Sequence, residues 1–297
     1  MNLGSLESED VQNLRGWMDT HGLLLFREQQ LSVAEEVAFA KVFPWDERTP
    51  PERLHGLHGR WMLPEWPMVL VQGHGAFAGH AGFEGLPDGT LQHPNTTDEW
   101  HSDGMHSLLT PPIHTQMYSL EAPARGGETL FCSAHDAWDA LPPEQQALAS
   151  RLRVRYQRAT HPLAPDGLSA EPTADSLDDV ALDEGQEVIH PLCRTHPHSG
   201  RRGIYAAPMF THSLEMDGVV LPAAESHRLL GELLRASIGK TPHLRHAWKP
   251  RDLVCWDNRR VLHSGTPRAR MVGRRLIHRI RMTSAERPSG ARREAAL

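Results

Sequence analysis

The sequence predicts a mainly β protein with peripheral helices, of the sandwich or jelly-roll class. Short apolar and β-branched runs alternate with turn residues over 113–133 and again over 252–284. Helical patterns are few and lie outside these two strand-rich blocks. No internal repeat or linker divides the 297 residues, so we expect one domain over 1–283 and a flexible tail over 284–297.

The first forty residues predict a helix, a strand and a second helix. Ser8 can cap a helix that ends at Gly22 and carries one apolar face. The run "LLLF", residues 23–26, is typical of a buried strand. Ser32 and Glu35 have the spacing of a capping box and mark the start of the second helix.

The central and C-terminal residues predict further strands and helices. "IHTQMYSLEA" is a strand candidate, "PARGG" a turn, and "ETLFCS" a strand that pairs back on the first. Ser133 begins a helix, and an amphipathic helix over 224–238 stops at Gly239. "DLVCWDNRRVLHSG" and "RRLIHRIRMTS" predict two closing strands. We expect a long surface loop over 73–97 and an acidic mobile loop or lid over 163–187.

Composition excludes several classes of protein. With 31 basic and 37 acidic residues, the net charge of −6 gives no basic surface for a nucleic acid. No apolar run approaches the roughly 18 residues that a membrane span needs. The N-terminal segment lacks the basic start and apolar core of a secretion signal, so we expect a cytoplasmic location. Cys132, Cys193 and Cys255 have no CxxC spacing, which predicts buried free thiols.

A candidate metal site lies in "EWHSDGMHSLLTPP", residues 99–112. On a strand, His101 and Asp103 point to the same side and can share one metal. A single His-x-Asp triplet is weak support in a chain with twenty histidines. His263, near the other end of the chain, supplies a possible third ligand. Two histidines and one carboxylate are typical of non-haem Fe(II) oxygenases; zinc hydrolases can use the same set, but the helical HExxH of the common type is absent.

The last predicted strand, "RRLIHRIRMTS", places arginines among apolar residues on one face. With a period of two, that face carries Arg275, Ile277, Arg279 and Arg281. Arginine cannot shed its charge, so Arg275 and Arg279 require anions if they face the interior of a barrel. The alternative is an edge strand whose arginines reach solvent or pair with carboxylates.

Five segments resemble the taurine dioxygenase (TauD/TfdA) family of Fe(II)/2-oxoglutarate-dependent dioxygenases, in the family's order and spacing. They are "LLLFREQQLSVAEEVAFAKVFP", "WHSD", "GGETLFCS", "HPLCRTHPHSGRRGIYAAPMFT" and "WDNRRVLHSGTP" with the following "RRLIHR". The resemblance implies a double-stranded β-helix, or jelly roll. The chain departs from the family at "AAPMFT", where many members have an Asn-Pro-Gly-Phe-Thr type of segment, so taurine itself is in doubt as substrate.

The resemblance also implies roles for six residues. His101, Asp103 and His263 match the catalytic iron ligands, and Thr129 and Arg275 match the pair that holds the distal carboxylate of 2-oxoglutarate. Arg279 matches a position that in several members meets an anionic group of the substrate.

The implied activity is hydroxylation of a small anionic substrate, with Fe(II), 2-oxoglutarate and O₂ as cofactor and co-substrates and with release of succinate and CO₂. The partners expected are this small molecule and further copies of the chain, as a dimer or tetramer, with no nucleic acid and no membrane. Two alternatives stay open at this point. One is desaturation or another oxidation in a biosynthetic pathway, and the other is a jelly roll that binds a metal and senses a ligand without turnover.

Overall fold

The computed structural model describes residues 1–43, 62–76, 80, 90–92, 100–105, 109–157, 186–267, 270–282 and 288–295. Its helices are α1 (Ser8–His21), α2 (Val33–Ala40), α3 (Ala134–Asp139), α4 (Pro143–Arg151) and α5 (Ala223–Ala236), with 3₁₀ turns at Pro208–Phe210 and Ile238–Lys240. Its strands are β1 (Leu23–Phe26), β2 (Met62–Leu63), β3 (Trp66–Ala76), β4 (Thr90–Gln92), β5 (His114–Glu121), β6 (Thr129–Ser133), β7 (Leu152–Gln157), β8 (Gln186–Pro191), β9 (Cys193–Thr195), β10 (Arg202–Ile204), β11 (Thr211–Met216), β12 (Val219–Val220), β13 (His243–His246), β14 (Leu253–Asp257), β15 (Val261–Gly265), β16 (Arg275–Met282) and β17 (Arg292–Ala295).

Within the described ranges, the strands form one large antiparallel sheet and three smaller ones. The large sheet has the order β1-β14-β5-β16-β3-β2, with β4 also paired to β3. The smaller sheets have the orders β13-β6-β15, β12-β11-β7-β8-β17 and β10-β9. Met117, Trp256 and Ile277 from the large sheet pack with Phe131 and Val261 from the β13-β6-β15 sheet, so an apolar layer fills the space between the two. This two-sheet arrangement confirms the predicted mainly β, jelly-roll fold.

Helices α1 and α2 cover the outer face of the large sheet. Alternate residues of β14 take part, because Leu253 and Cys255 pack with Leu14 of α1 and Phe39 of α2, while Trp256 faces the inner layer. Cys255 is fully buried, in agreement with the prediction that its thiol is part of the core. None of the helices in the described ranges is long and apolar enough to cross a membrane.

The helix boundaries follow the predicted caps closely. Ser32 and Glu35 form the predicted capping box, and Gly22 ends α1 with a φ of 74° that glycine adopts without strain. At the start of α1 the prediction is wrong by one residue, because Glu7 rather than Ser8 is the cap. Helix α5 ends at Ala236, before the predicted stop at Gly239.

Two predicted strand arrangements are wrong. The segment "ETLFCS" forms β6, but β6 pairs with β13 and β15, whereas β5 pairs with β14 and β16. The turn between them therefore crosses from one sheet to the other and forms no hairpin. The segment "DLVCWDNRRVLHSG" forms two strands in different sheets. Asp257 ends the first of them, and its carboxylate accepts a hydrogen bond from the backbone N–H of Arg259 at 2.8 Å, which stabilises a turn before β15.

Three segments predicted as loop or tail contain strands. Residues 73–76 and 90–92, within the predicted surface loop, belong to β3 and β4. Glu187, at the end of the predicted acidic loop, lies in β8; residues 163–185 are outside the described ranges. In the predicted tail, β17 pairs antiparallel with β8, so the prediction of a flexible segment is wrong for 292–295.

Candidate metal centre

His101 and His263 lie side by side through reciprocal backbone hydrogen bonds. The N–H of His101 donates to the carbonyl of His263 at 2.9 Å, and the N–H of His263 donates to the carbonyl of His101 at 3.0 Å. The pair forms an isolated antiparallel bridge, and the two ring centroids are 4.1 Å apart. Backbone pairing at the centre of β15 therefore brings together two imidazoles that are far apart in the sequence.

Asp103 completes the group of three. Its Oδ1 atom lies 3.9 Å from Nε2 of His101 and 3.7 Å from Nε2 of His263. One ligand atom from each of the three side chains lies within 4.8 Å of the other two. Among the described residues this is the one group of three His, Cys, Asp or Glu side chains placed to hold a metal ion. Glu99 and His106, from the same stretch, are outside the described ranges.

A chain of buried hydrogen bonds orients the carboxylate of Asp103. The Thr115 hydroxyl donates to Asp103 Oδ2 at 2.5 Å. Thr115 in turn accepts from Asn258 Nδ2 at 2.8 Å, and Asn258 Oδ1 accepts from the indole N–H of Trp256 at 2.8 Å. Oδ1 is left facing the two imidazoles. Sequence reasoning missed Thr115 and Asn258, although a polar residue at an inward position of β5 was a possible signal.

The electrostatics of the site suit a divalent cation. Burial alone would raise the pKa of Asp103, but Arg279 and the two imidazoles outweigh it and hold that pKa well below its usual range. Burial, reinforced by His101, lowers the pKa of His263 well below its usual range. The site therefore presents one carboxylate and a neutral His263 imidazole at neutral pH. Two imidazoles and one carboxylate are a donor set that fits Fe(II).

Arg275 and Arg279 are buried in the middle of the large sheet. Strand β16 lies between β5 and β3, so the edge-strand alternative is wrong. Arg279 donates a hydrogen bond to Asp103 Oδ1 and forms an ion pair with it. The anion that pairs with Arg279 in this structure is thus Asp103, a predicted metal ligand. The binding of Arg279 to an anionic group of the substrate stays a prediction.

Arg275 lies beside the segment that leads into β6, whose first residue is Thr129. Arg275 packs beside Gly127, where an added Cβ would lie 3.5 Å from Arg275 Cδ, and Gly127 is two residues before Thr129. Gly127 has a φ of 70°, so a side chain there would strain the backbone beside this arginine. The Thr129 hydroxyl accepts a hydrogen bond from the Trp248 indole N–H at 3.0 Å, which leaves its own proton free to be donated. Trp248 was not predicted from the sequence.

Three further histidines of the described residues, His80, His196 and His246, have contacts outside this group of three. His196 lies 3.0 Å from the buried carboxylate of Asp257. His246 lies 3.4 Å from Asp252 and packs against Trp248. His80 lies 2.9 Å from His278, on the face of β16 opposite Arg279.

Comparison with known proteins identifies the family of the chain. The taurine catabolism dioxygenase TauD, TfdA family matches residues 1–281. An alpha-ketoglutarate-dependent 2,4-dichlorophenoxyacetate dioxygenase from Cupriavidus pinatubonensis is 32% identical over 269 residues, which are 89% of this chain and 84% of that protein. Pentalenolactone F synthase from Streptomyces arenae is 31% identical over 287 residues, which are 92% of this chain and 88% of that protein.

A solved structure supports the fold independently. A taurine dioxygenase from Burkholderia xenovorans superposes with a TM-score of 0.70 at 23% identity, over 100% of this chain and 89% of that one. Alpha-ketoglutarate is 2-oxoglutarate, so the name of the Cupriavidus relative specifies the co-substrate that the sequence resemblance implies. The chain therefore belongs to the TauD/TfdA family of Fe(II)/2-oxoglutarate-dependent dioxygenases.

Proposed function

We propose that the protein hydroxylates a small anionic molecule, and that His101, Asp103 and His263 hold the iron for this reaction. The observation that carries the proposal is the convergence of these three buried side chains, with ligand atoms within 4.8 Å of one another. In the overall reaction, the substrate, 2-oxoglutarate and O₂ give the hydroxylated product, succinate and CO₂. Bound Fe(II) supplies the activation of O₂ that the side chains of a protein cannot provide.

Thr129 and Arg275 are the proposed holders of the distal carboxylate of 2-oxoglutarate. Arg275 is buried, and a buried guanidinium is stable only opposite an anion. A guanidinium can bind a carboxylate through two parallel hydrogen bonds, and the Thr129 hydroxyl can donate a third. Trp248 supports this role because its hydrogen bond fixes the direction of the Thr129 hydroxyl.

Arg279 is the proposed contact for an anionic group of the substrate. It lies on the same face of β16 as Arg275, four residues further along the strand. It also forms an ion pair with Asp103. The name of the Cupriavidus relative specifies an aryloxyacetate, which is a carboxylate. Aryloxy carboxylates, sulfonates, sulfates and amino acids are therefore the first substrates to test.

A second candidate keeps the cofactor and co-substrates but changes the outcome to desaturation or another oxidation in a biosynthetic pathway. The relative named pentalenolactone F synthase favours it. Mass spectrometry separates the two reactions, because hydroxylation adds one oxygen atom and desaturation removes two hydrogen atoms.

Anaerobic addition of Fe(II) and 2-oxoglutarate tests the metal assignment directly. We expect a visible charge-transfer band that is lost in His101→Ala and retained in His198→Ala, since His198 is an exposed residue paired with Asp19. A band of full intensity in His101→Ala would refute the assignment. Succinate formation stimulated by a substrate then distinguishes an enzyme from a sensor that binds a ligand without turnover.

We also propose that the protein acts in the cytoplasm as a dimer or tetramer. The three cysteines are unpaired, which favours a reducing compartment. Sedimentation of the purified chain measures the oligomeric state.

A further inference from the structure

His74 faces the same interior as Arg275 and Arg279. It is the direct register partner of Arg275 in the pairing of β3 with β16, and directly paired residues of antiparallel strands project to the same side of a sheet. Arg275 and Arg279 share one face of β16, and the ion pair between Arg279 and Asp103 shows that this face meets the candidate metal ligands. The side chain of His74 therefore projects into the candidate site, beside Arg275.

Along the sheet, His74 lies at the end of the site that is far from the metal ligands. Arg279 pairs with Asp103, whereas Arg275 comes four residues earlier in β16, which separates the two arginine Cα atoms by about 13 Å. The Cα atoms of a directly opposed antiparallel pair are only about 4.5–5.5 Å apart. His74 is thus much closer to Arg275, the proposed holder of the distal carboxylate of 2-oxoglutarate, than to the candidate metal ligands.

The surroundings of His74 determine which of its two ring nitrogens can bind a ligand. Its Nδ1 atom is buried and has no hydrogen-bond partner among the described residues. A proton on Nδ1 would be an unsatisfied buried donor, which is unfavourable, so the neutral imidazole carries its proton on Nε2. The residue as a whole is partly exposed. His74 therefore presents the Nε2–H group as a hydrogen-bond donor.

We propose that His74 is a third contact for the distal carboxylate of 2-oxoglutarate, to which its Nε2–H group donates a hydrogen bond. This inference rests on the proposed function and adds one residue to the proposed co-substrate site. The two oxygen atoms of a carboxylate can accept about four hydrogen bonds, so contacts from Arg275 and Thr129 leave a position for His74. A hydrogen bond to an ionised carboxylate is stronger than one between neutral groups.

Two amide variants test whether Nε2 makes this contact. The side-chain nitrogen of glutamine can reach the position of Nε2, whereas that of asparagine reaches only the position of Nδ1. The dissociation constant of 2-oxoglutarate is measured anaerobically from the charge-transfer band of the full chain with Fe(II). We expect His74→Asn to weaken binding about ten-fold and His74→Gln to stay within about three-fold of the natural protein. His198→Gln, at an exposed residue paired with Asp19, should leave the dissociation constant unchanged.

A second keto acid tests whether the contact is made to the distal carboxylate. 2-Oxopentanoate has a methyl group where 2-oxoglutarate has this carboxylate, and it keeps the 2-oxo acid group at the other end. Its dissociation constant is measured by competition with 2-oxoglutarate. We expect this constant to agree within about two-fold between His74→Asn and the natural protein, because the variant removes a contact that 2-oxopentanoate cannot make.

The outcomes separate failure of this inference from failure of the proposed function. Unchanged binding of 2-oxoglutarate in His74→Asn, an equal loss in His74→Asn and His74→Gln, or an equal loss for both keto acids would overturn the role of His74. A full band at saturating 2-oxoglutarate shows that each variant is folded and keeps its metal site. Absence of the band from the natural protein would instead refute the proposed metal and co-substrate site.

Discussion

Arg279 donates a hydrogen bond to Oδ1 of Asp103, the same carboxylate oxygen that lies 3.9 Å and 3.7 Å from the Nε2 atoms of His101 and His263. The guanidinium and a divalent metal therefore compete for one atom. Arg279 keeps the carboxylate ionised and in place, but it also opposes a second cation at the same position. This relationship makes the affinity for metal depend on a residue that is not itself a metal ligand.

Replacement of Arg279 by glutamine should strengthen metal binding. The substitution replaces the charged guanidinium by a shorter, neutral amide, so we expect Mn²⁺ to bind about ten-fold more tightly, which corresponds to about 1.4 kcal/mol. Titration of Mn²⁺ followed by electron paramagnetic resonance measures the dissociation constant. Arg201→Gln is the matched control at an exposed site. Unchanged or weaker binding in Arg279→Gln would show that the guanidinium does not compete with the metal.

Removal of the Thr115 hydroxyl should weaken metal binding. Thr115→Val keeps the shape of the side chain but leaves Asp103 Oδ2 without its 2.5 Å hydrogen bond. Partners that orient a metal ligand typically contribute 10- to 100-fold in affinity, and we expect a loss of roughly that size in the same Mn²⁺ titration. Thr115→Ser retains the hydroxyl and should stay within about three-fold of the natural protein. Equal affinities for the valine and serine variants would contradict this role.

Loss of Arg155 should destabilise the β12-β11-β7-β8-β17 sheet. This buried guanidinium forms ion pairs with Glu187, Glu215 and Glu294 at 2.5–3.0 Å. Arg155→Leu leaves the buried carboxylate of Glu187 without its guanidinium partner, so we expect the free energy of unfolding to fall by about 3–5 kcal/mol.

Urea unfolding at neutral pH measures this loss. Arg228→Ala is the control, because Arg228 and Glu232 form an exposed pair on α5, and removal of such a pair costs about 0.5 kcal/mol or less. A comparable, small change in both variants would show that the buried ionic cluster contributes little to stability.

His114 should make stability depend on pH between about 4 and 6.5. Burial lowers the pKa of His114 to about 4 in the folded protein, whereas an unfolded histidine has a pKa near 6.5. Between these values the unfolded chain binds more protons, so this contribution to stability is fully present above pH 6.5 and is lost as the pH falls toward 4.

The variant His114→Gln should therefore show a weaker decline of the unfolding free energy over this range. The difference in slope is at most about 1.4 kcal/mol per pH unit. Denaturant unfolding at several pH values measures it, with His198→Gln as the exposed control. Identical slopes for His114→Gln and the natural protein would contradict the prediction. In His114→Gln the unfolding free energy should still decline somewhat as the pH falls, because burial also lowers the pKa of His246 to about 4.

Sequence reasoning succeeded where a short pattern determines the structure. The two-residue period placed Arg275 and Arg279 on one face of β16. His101 and Asp103 also lie close together, although His101 forms only an isolated bridge and Asp103 lies in no strand. The capping box at Ser32 is equally local. These features depend on backbone geometry over a few residues, which the sequence specifies directly.

The failures concern pairings between distant parts of the chain. Whether β6 joins β5 or β15 depends on the crossing between sheets, and both arrangements present similar apolar residues to the core. The role of Thr115 depends on its register opposite β16 and its distance from Asp103, neither of which appears in the sequence near it. The predicted tail is rich in charged residues, but β17 pairs with β8, and its Arg292 and Glu294 form ion pairs with Glu215 and Arg155.

The backbone bridge between His101 and His263 also constrains how the protein acquires iron. A nascent chain on the ribosome carries His101 and Asp103 long before His263 has been synthesised. The complete ligand set exists only after β15 has emerged and paired, since reciprocal hydrogen bonds hold the second imidazole in place. On the proposed assignment, the three-ligand site is therefore complete only in a chain that has been synthesised beyond β15 and has formed this bridge.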